Sequence, residues 1–74
     1  MVQDTNVAPL TFIKAHALGN DFLLLDSRLL PPSLDRAALA RATCDRHRGL
    51  GADGLIVYRG SGPIVMQLLN ADGS

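Results

Sequence analysis

This 74-residue sequence contains very little cysteine, no tryptophan or glutamate, and no excess of either charge. It contains one cysteine and no tryptophan, and its seven basic residues balance seven aspartates, for a formal net charge of zero. A single cysteine cannot form an internal disulfide, so the disulfide-stapled scaffold of small secreted proteins is excluded and a reducing compartment is favoured. A neutral chain also lacks the basic surface that binds nucleic acid or anionic membranes.

Long hydrophobic runs are missing as well. The apolar segment Phe22–Leu25 is far shorter than the roughly 20 residues that span a membrane. Residues 1–9 include Asp4 and no basic residue, which is not typical of a signal peptide. Hydrophobic residues nevertheless make up 47% of the chain, too large a share for a disordered segment. The sequence therefore predicts one small globular unit.

Turn-forming residues divide the chain into short predicted elements. Residues 1–9 are polar and aperiodic, and we expect a flexible N-terminal extension there. A tight reversal is predicted at Gly19–Asp21, between two segments of strand character. The predicted strands are Thr11–Ala17, Asp21–Asp26, Leu55–Tyr58 and Ile64–Leu69, with a turn over residues 60–63 between the last two.

One helix is predicted between the two pairs of strands. Pro31 and Pro32 break the chain, and Ser33 is the predicted N-cap of a helix that runs to about His47. Its apolar residues form no narrow stripe on a helical wheel, so we expect it to be covered on several sides. The element order β-β-α-β-β predicts an α+β fold. The late Asp72–Gly73 pair is a hairpin signal without a returning strand, which indicates a piece of a longer protein.

Residues 49–54 spell the G-x-G-x-x-G pattern of dinucleotide-binding loops. That motif binds a pyrophosphate where it follows a strand and opens a helix, because the helix N-terminus supplies free N–H groups. Here a predicted helix precedes the glycines and a predicted strand follows them. The pattern therefore indicates a glycine-rich turn from helix to strand, and no nucleotide cofactor is predicted.

Cys44, the single thiol, lies three residues before His47. A thiolate is stabilised at a helix N-terminus or beside cations, whereas Cys44 falls near the predicted C-terminus of the helix, so we interpret it as a small buried side chain. As metal ligands, Cys44 and His47 supply half of a four-ligand zinc site, and His16 alone does not complete it. The sequence therefore predicts neither a catalytic residue nor a metal site.

Polar side chains gather at the first predicted hairpin, where His16, Asn20 and Asp21 lie close together in sequence. Asn and Asp commonly bind the backbone of their own turns, which gives them a structural role. The amide of Asn20 also has two donors and an acceptor, which suit a carboxylate or ammonium group. The same two interpretations apply to Asn70, and spacing alone does not decide between them.

Three sequence blocks resemble the diaminopimelate epimerases in their order and spacing. The first is His-Ala-Leu-Gly-Asn-Asp-Phe at residues 16–22, where the family usually has glycine at the second position. The second covers Cys44–Gly54 and the third covers Asn70–Ser74. The match extends from about Phe12 to the last residue.

The resemblance implies a cytoplasmic, cofactor-independent epimerase of lysine and peptidoglycan precursor biosynthesis, which interconverts LL- and meso-2,6-diaminopimelate. In that family one thiolate removes the α-proton and a thiol on the opposite face returns one. Each of two similar domains is a curved sheet wrapped around a central helix, with the substrate between the domains. By motif match, Asn20 and Asn70 contact the substrate, and residues 10–74 form the first part of the N-terminal domain. The resemblance also allows a homodimer of the full-length enzyme.

Two departures limit what the resemblance carries over. Many relatives have a glutamine that contacts the substrate at the position of Gly54 in this sequence. That side-chain contact is therefore absent here or is replaced by a backbone group or a water molecule. The family's first catalytic cysteine lies in a Cys-Gly-Asn-Gly block just beyond the third motif and the second lies in the other domain, so Cys44 corresponds to neither. We therefore predict that these 74 residues are truncated before the first catalytic cysteine and do not epimerise alone.

Two other hypotheses stay open. A non-catalytic binding or interaction module would keep Asn20 and Asn70, and would show a cooperative melt with saturable diaminopimelate binding. A related racemase or isomerase of the same fold, such as a proline racemase or a phenazine-type isomerase, is disfavoured by the Leu-Gly-Asn-Asp-Phe block at residues 18–22.

Overall fold

The computed structural model describes the backbone of residues 2–7 and the whole of residues 10–60 and 63–74. Within these ranges, one sheet has the strand order β1-β2-β3-β4-β5, and one helix connects β3 to β4. Neighbouring strands are antiparallel except β3 and β4, which are parallel. The elements are β1 (Val2–Val7), β2 (Leu10–Ala17), β3 (Asn20–Asp26), a short 3-10 turn (Ser27–Leu29), α1 (Arg36–Cys44), β4 (Gly54–Arg59) and β5 (Val65–Asn70).

The mixed α+β arrangement predicted from the sequence is confirmed, with one strand more than expected. Residues 2–7 form β1, which pairs with β2 from Val2 opposite Ala15 to Val7 opposite Leu10. The flexible extension predicted for residues 1–9 is therefore wrong for these six residues. An unpaired strand edge bonds to almost any extended segment through the backbone, so an edge strand leaves a weak pattern in its own side chains.

The first hairpin turns one residue earlier than predicted. Leu18 and Gly19 form a two-residue connection with φ of 54° and 82°, and Asn20 already belongs to β3. Positive φ at both central residues defines the turn geometry that matches the twist of a hairpin. Glycine adopts it freely, whereas Leu18 does so at a steric cost and with its side chain fully exposed.

The helix is shorter than the sequence predicted at both ends. Asp35 and not Ser33 is the N-cap of α1, and its carboxylate accepts a hydrogen bond from the Ala38 N–H at 3.1 Å. Aspartate and serine cap about equally well, so propensity could not separate the two positions. The helix ends at Cys44 and not near His47, because the Asp45 carboxylate accepts from the His47 N–H at 2.8 Å and redirects the chain.

The core lies between α1 and one face of the sheet, where α1 packs against β4 and β5. Alternate residues of each strand face it, as the twofold period of a strand requires. The side of α1 that carries Ala40 and Cys44 is buried, whereas Ala38 and Ala42 on its other side are exposed. The described residues thus cover α1 on one side, and a sheet wrapped around a central helix stays a prediction. The buried apolar residues are Phe12, Leu23, Leu25, Ala40, Cys44, Ala52, Leu55, Val57 and Leu69.

The strands β4 and β5 fall close to the predicted positions. The predicted turn over residues 60–63 includes residues 61 and 62, which lie outside the described residues. The described part of the chain contains no helix that is long and apolar enough to cross a membrane.

Candidate functional site

Asn20 and Asn70 lie at the same end of the sheet. Asn20 is the first residue of β3 and Asn70 is the last residue of β5. Gly54 of β4 is in register with Phe22 on one side and with Asn70 on the other. Because Asn20 precedes Phe22 by two residues, both asparagines belong to the face opposite α1. Two strand spacings and a two-residue offset put their Cα atoms about 12 Å apart.

The side chain of Asn70 takes part in the turn that follows β5. Its amide nitrogen donates to the Ser74 hydroxyl at 3.2 Å, and its backbone N–H donates to the Ser74 carbonyl at 3.0 Å. The Asp72 carboxylate accepts from the Ser74 N–H at 2.9 Å and holds the same turn. The structural role considered for Asn70 is therefore present, and the exposed amide stays at the edge of the sheet.

The rest of the predicted polar group divides between the two faces of the hairpin. His16 is exposed and lies opposite Asp21 in the β2–β3 register. Asn20 is exposed beside the Leu18–Gly19 turn. Asp21, by contrast, points to the side of the sheet that carries α1, where its side chain is 12% exposed. The sequence cluster is therefore not one site, because successive strand residues face opposite ways.

Asp21, Arg46 and Asp53 form an ionic cluster at this end of the sheet. Arg46 Nη2 donates to Asp21 Oδ1 at 2.9 Å and to Asp53 Oδ1 at 3.1 Å, and its Nη1 donates to Asp21 Oδ2 at 3.3 Å. Lys14 Nζ lies 3.7 Å from Asp21 Oδ2. The hydrogen bond from Arg46 holds the pKa of Asp21 well below its usual range, although partial burial acts in the opposite direction.

Backbone hydrogen bonds join the same three segments. The Asp21 N–H donates to Asp53 Oδ2 at 2.9 Å, and the Asp53 N–H donates to the Asp21 carbonyl at 2.9 Å. The Asp53 carbonyl in turn accepts from the Ala71 N–H at 3.1 Å. The residues next to Asn20 and Asn70 are thus connected through Asp53. Nothing in the sequence indicates this connection through Asp53, because it depends on strand pairing between distant segments.

Gly54 occupies the strand between the two asparagines, on their face of the sheet. A Cβ atom at this position would lie 3.0 Å from the Leu69 carbonyl oxygen and 3.3 Å from the Phe22 ring. A glutamine here would therefore require the Phe22 ring to move. With glycine, nothing projects between Asn20 and Asn70 from β4.

The glycine-rich segment 49–54 does not offer its N–H groups to a ligand. The Leu50 and Gly51 N–H groups donate to the Thr43 carbonyl at 2.8 and 3.1 Å, and the Ala52 N–H donates to the Cys44 carbonyl at 3.1 Å. These bonds satisfy the last carbonyls of α1. The predicted helix-to-strand turn is confirmed, and a phosphate cradle would need the same N–H groups free.

Cys44 is a core residue of α1. Its side chain is 2% exposed, and burial raises the pKa of the Cys44 thiol above its ordinary value. A thiol in this setting stays protonated and is a poor nucleophile. Among the described residues, no three His, Cys, Asp or Glu side chains lie close enough to hold a metal ion.

Comparison with curated proteins points to one class of enzyme, the epimerases. No protein-family model matches the chain. It is 51% identical over 65 residues to the diaminopimelate epimerase of Acidiphilium cryptum (strain JF-5), which covers 85% of the chain and 23% of that enzyme. It is 46% identical over 66 residues to that of Microcystis aeruginosa, covering 85% of the chain and 24% of the relative. The diaminopimelate epimerase of Rickettsia akari is 39% identical over 69 residues, covering 92% of the chain and 26% of the relative.

These matches confirm the resemblance to the diaminopimelate epimerase family. The chain spans about a quarter of the length of the curated relatives it matches. The chain therefore aligns with one segment of each of these diaminopimelate epimerases.

Proposed function

We propose that this chain supplies one side of the substrate cleft of an enzyme that interconverts LL- and meso-2,6-diaminopimelate. Asn20 and Asn70 hold the amino and carboxylate groups of the substrate. Two cysteines outside these 74 residues exchange the α-proton without a cofactor, so the chain alone is inactive. The remainder of the enzyme closes the cleft, the sheet continues around α1, and the cytoplasm is the proposed compartment.

The observation that carries the proposal is the position of the two asparagines on one face at one end of the sheet. Their Cα atoms are about 12 Å apart, and because both side chains stand roughly perpendicular to the sheet, they project from the same face side by side. A substrate that lies across this face, with polar groups about that far apart, can therefore form hydrogen bonds to both amides. Gly54 lies between the two asparagines without a side chain, and the Phe22 ring packs over it, 3.3 Å from the position that a Cβ atom would take.

The chemistry of the amide group also fits an amino-acid head group. An amide donates to a carboxylate and accepts from an ammonium group, so two amides bind a zwitterion without adding charge. A charged side chain would bias the site towards one of the two groups. The thiol within the chain, Cys44, is buried on the other face of the sheet and is excluded from the reaction.

A segment exchange tests the proposal. The matching segment of the Acidiphilium cryptum epimerase is replaced by this chain, and epimerisation is followed by proton exchange at the α-carbon of diaminopimelate in D2O. We expect the chimaera to be active and the isolated 74-residue chain to be inactive. If the chimaera is insoluble, the chain is co-expressed with the rest of the epimerase. Absence of activity in both formats would contradict the proposal.

Asn20→Ala tests the binding role within the same chimaera. We expect KM for diaminopimelate to rise about tenfold or more, with a melting temperature close to that of the parent chimaera, because the exposed Asn20 amide at the start of β3 adds little packing. Gln67→Ala is the matched control, since it removes an exposed amide from the other face of β5. A large loss of thermal stability with unchanged KM would assign Asn20 to the turn instead.

Titration of the isolated chain with diaminopimelate separates the remaining hypothesis. Saturable binding by the chain together with an inactive chimaera would favour a binding module over an epimerase segment.

A further inference from the structure

We propose that Arg46 is a positioning residue for substrate binding, which acts through Asp21 and Asp53 to fix the separation between Asn20 and Asn70. This inference rests on the proposed function. Arg46 itself lies on the α1 side of the sheet, whereas the two asparagines belong to the opposite face. Its effect on the substrate is therefore indirect.

The path from Arg46 to each asparagine is short and continuous. Arg46 donates to Asp21, the residue that follows Asn20, at 2.9 Å. It donates to Asp53 at 3.1 Å, and the Asp53 carbonyl accepts from the N–H of Ala71, the residue that follows Asn70, at 3.1 Å. One guanidinium thus restrains the start of β3, the start of β4 and the end of β5.

The charges explain why a cation is needed at this point. The Asp21 N–H is bonded to the Asp53 carboxylate, and both carboxylates are bonded to the same nitrogen of Arg46. Without Arg46, two carboxylates would face each other across the β3–β4 edge with Lys14 3.7 Å from one of them as the remaining cation. Like charges at this range repel, so the two strand ends would separate and carry the asparagines with them.

The geometry also explains why the cation is an arginine. The planar guanidinium presents several N–H donors in a fixed fork and reaches both carboxylates at once. An ammonium group is a point charge and does not hold the two carboxylates in a fixed orientation. We therefore expect lysine at position 46 to restore only part of the effect.

Amide hydrogen exchange of the full 74-residue chain tests the restraint directly. We expect Arg46→Gln to accelerate exchange at the Asp53 and Ala71 amides by about tenfold or more. The Leu30 amide, which donates to the Ser27 carbonyl at the other end of the sheet, should not change. Equal acceleration at all three amides would reveal general destabilisation and would overturn the proposal.

Arg28→Gln is the matched control. Arg28 also bonds to a carboxylate with its guanidinium, donating to Asp26 at 3.0 Å from Nε and at 2.6 Å from Nη2. This pair lies at the opposite end of β3, and the Arg28 side chain is 81% exposed. We expect the control to leave the Asp53 and Ala71 amides and the substrate KM unchanged.

Kinetics in the active chimaera connects the restraint with binding. We expect Arg46→Gln to raise KM for diaminopimelate about tenfold with kcat changed by less than about threefold, and Arg46→Lys to give an intermediate KM. A merely structural role would lower the amount of folded enzyme, and hence the apparent kcat, without changing KM. If both Arg46 variants fail to fold, the residue acts on stability and the proposal is wrong.

The double variant distinguishes this inference from the proposed function. If Arg46 acts by placing Asn20, then Arg46→Gln should raise KM much less in an Asn20→Ala background than in the parent. A normal KM for Arg46→Gln together with a raised KM for Asn20→Ala would overturn the positioning role alone. A normal KM for Asn20→Ala would refute the proposed function itself.

Discussion

Gly49→Ala is the substitution whose effect the structure determines most sharply. Gly49 follows the end of α1 and lies against its last carbonyls. A Cβ atom added here would press into the Ala42 carbonyl oxygen and would lie 2.7 Å from the Thr43 carbonyl oxygen. Both obstacles are helix backbone, which cannot move aside as a flexible side chain does. The residue must therefore be displaced, together with the turn that follows it.

The cost of Gly49→Ala has two parts. Forcing one extra carbon into a packed backbone contact costs about 1–3 kcal/mol. Displacing the turn also weakens the bonds from the Leu50 and Gly51 N–H groups to the Thr43 carbonyl, now 2.8 and 3.1 Å, at about 0.5–1.5 kcal/mol each. We expect the free energy of unfolding to fall by about 2–6 kcal/mol in total.

Gly19→Ala is the control for this experiment. Gly19 has φ of 82°, and no heavy atom lies within 4 Å of an added Cβ. Alanine at this position therefore costs only the strain of the left-handed backbone. That cost is about 1 kcal/mol. The two variants therefore compare a steric clash with a purely conformational penalty.

Urea unfolding of the 74-residue chain, followed by far-UV circular dichroism, measures both effects. A core this small supports a free energy of unfolding of no more than about 5 kcal/mol. All variants are therefore measured in the same concentration of a stabilising osmolyte, which keeps a folded baseline. The comparison uses the shift in midpoint at constant m value. A Gly49→Ala loss no larger than that of Gly19→Ala would refute the argument that helix backbone fills this position.

Three further predictions concern the hairpin, the ionic cluster and the thiol. Leu18→Asn should raise the free energy of unfolding by about 1 kcal/mol in the same urea assay, because asparagine tolerates the left-handed backbone that Leu18 adopts with φ of 54°. The lowered pKa of Asp21 contributes stability that is complete above about pH 4 and is lost as the pH falls. The urea midpoints at pH 6 and pH 3 should therefore differ less in Arg46→Gln than in the parent chain. An equal difference in the two proteins would contradict a stabilising interaction between Arg46 and the Asp21 carboxylate. Cys44 should react with a thiol reagent only as fast as the chain unfolds, and Cys44→Ala should leave the kcat of the chimaera unchanged; rapid labelling of the folded chain would contradict its burial.

The sequence predicts the strands that contribute to the core, because burial leaves a pattern in their own residues. The apolar runs around Leu23 and Leu55 gave β3 and β4 nearly in their observed positions. The strand β1 left no such pattern, since its place depends on the free edge of β2. The ends of α1 were missed because Ser33 and Asp35 are both good caps and local preference does not choose between them.

The ionic cluster could not be predicted from the sequence in the same way. Arg46 lies 25 residues from Asp21, and Asp53 lies 32 residues from it. Charged residues at such separations meet only when strand order and register are known, because a shift of one residue moves a strand side chain to the other face. Motif resemblance predicts Asn20 and Asn70 as substrate contacts, and it carries no information about the ionic cluster beside them.

The parallel pairing of β3 with β4 is the feature of the fold on which the candidate site depends. Parallel strands start at the same end of a sheet, so Asp21 at the start of β3 meets Asp53 just before β4. The strand β5 returns antiparallel and therefore ends where β4 begins, which brings Asn70 to the same edge. An antiparallel β3–β4 pair with the same residues would place Asp53 beside Asp26, at the opposite end of β3 from Asn20. The crossover through α1 is thus what turns three separate sequence blocks into one polar edge.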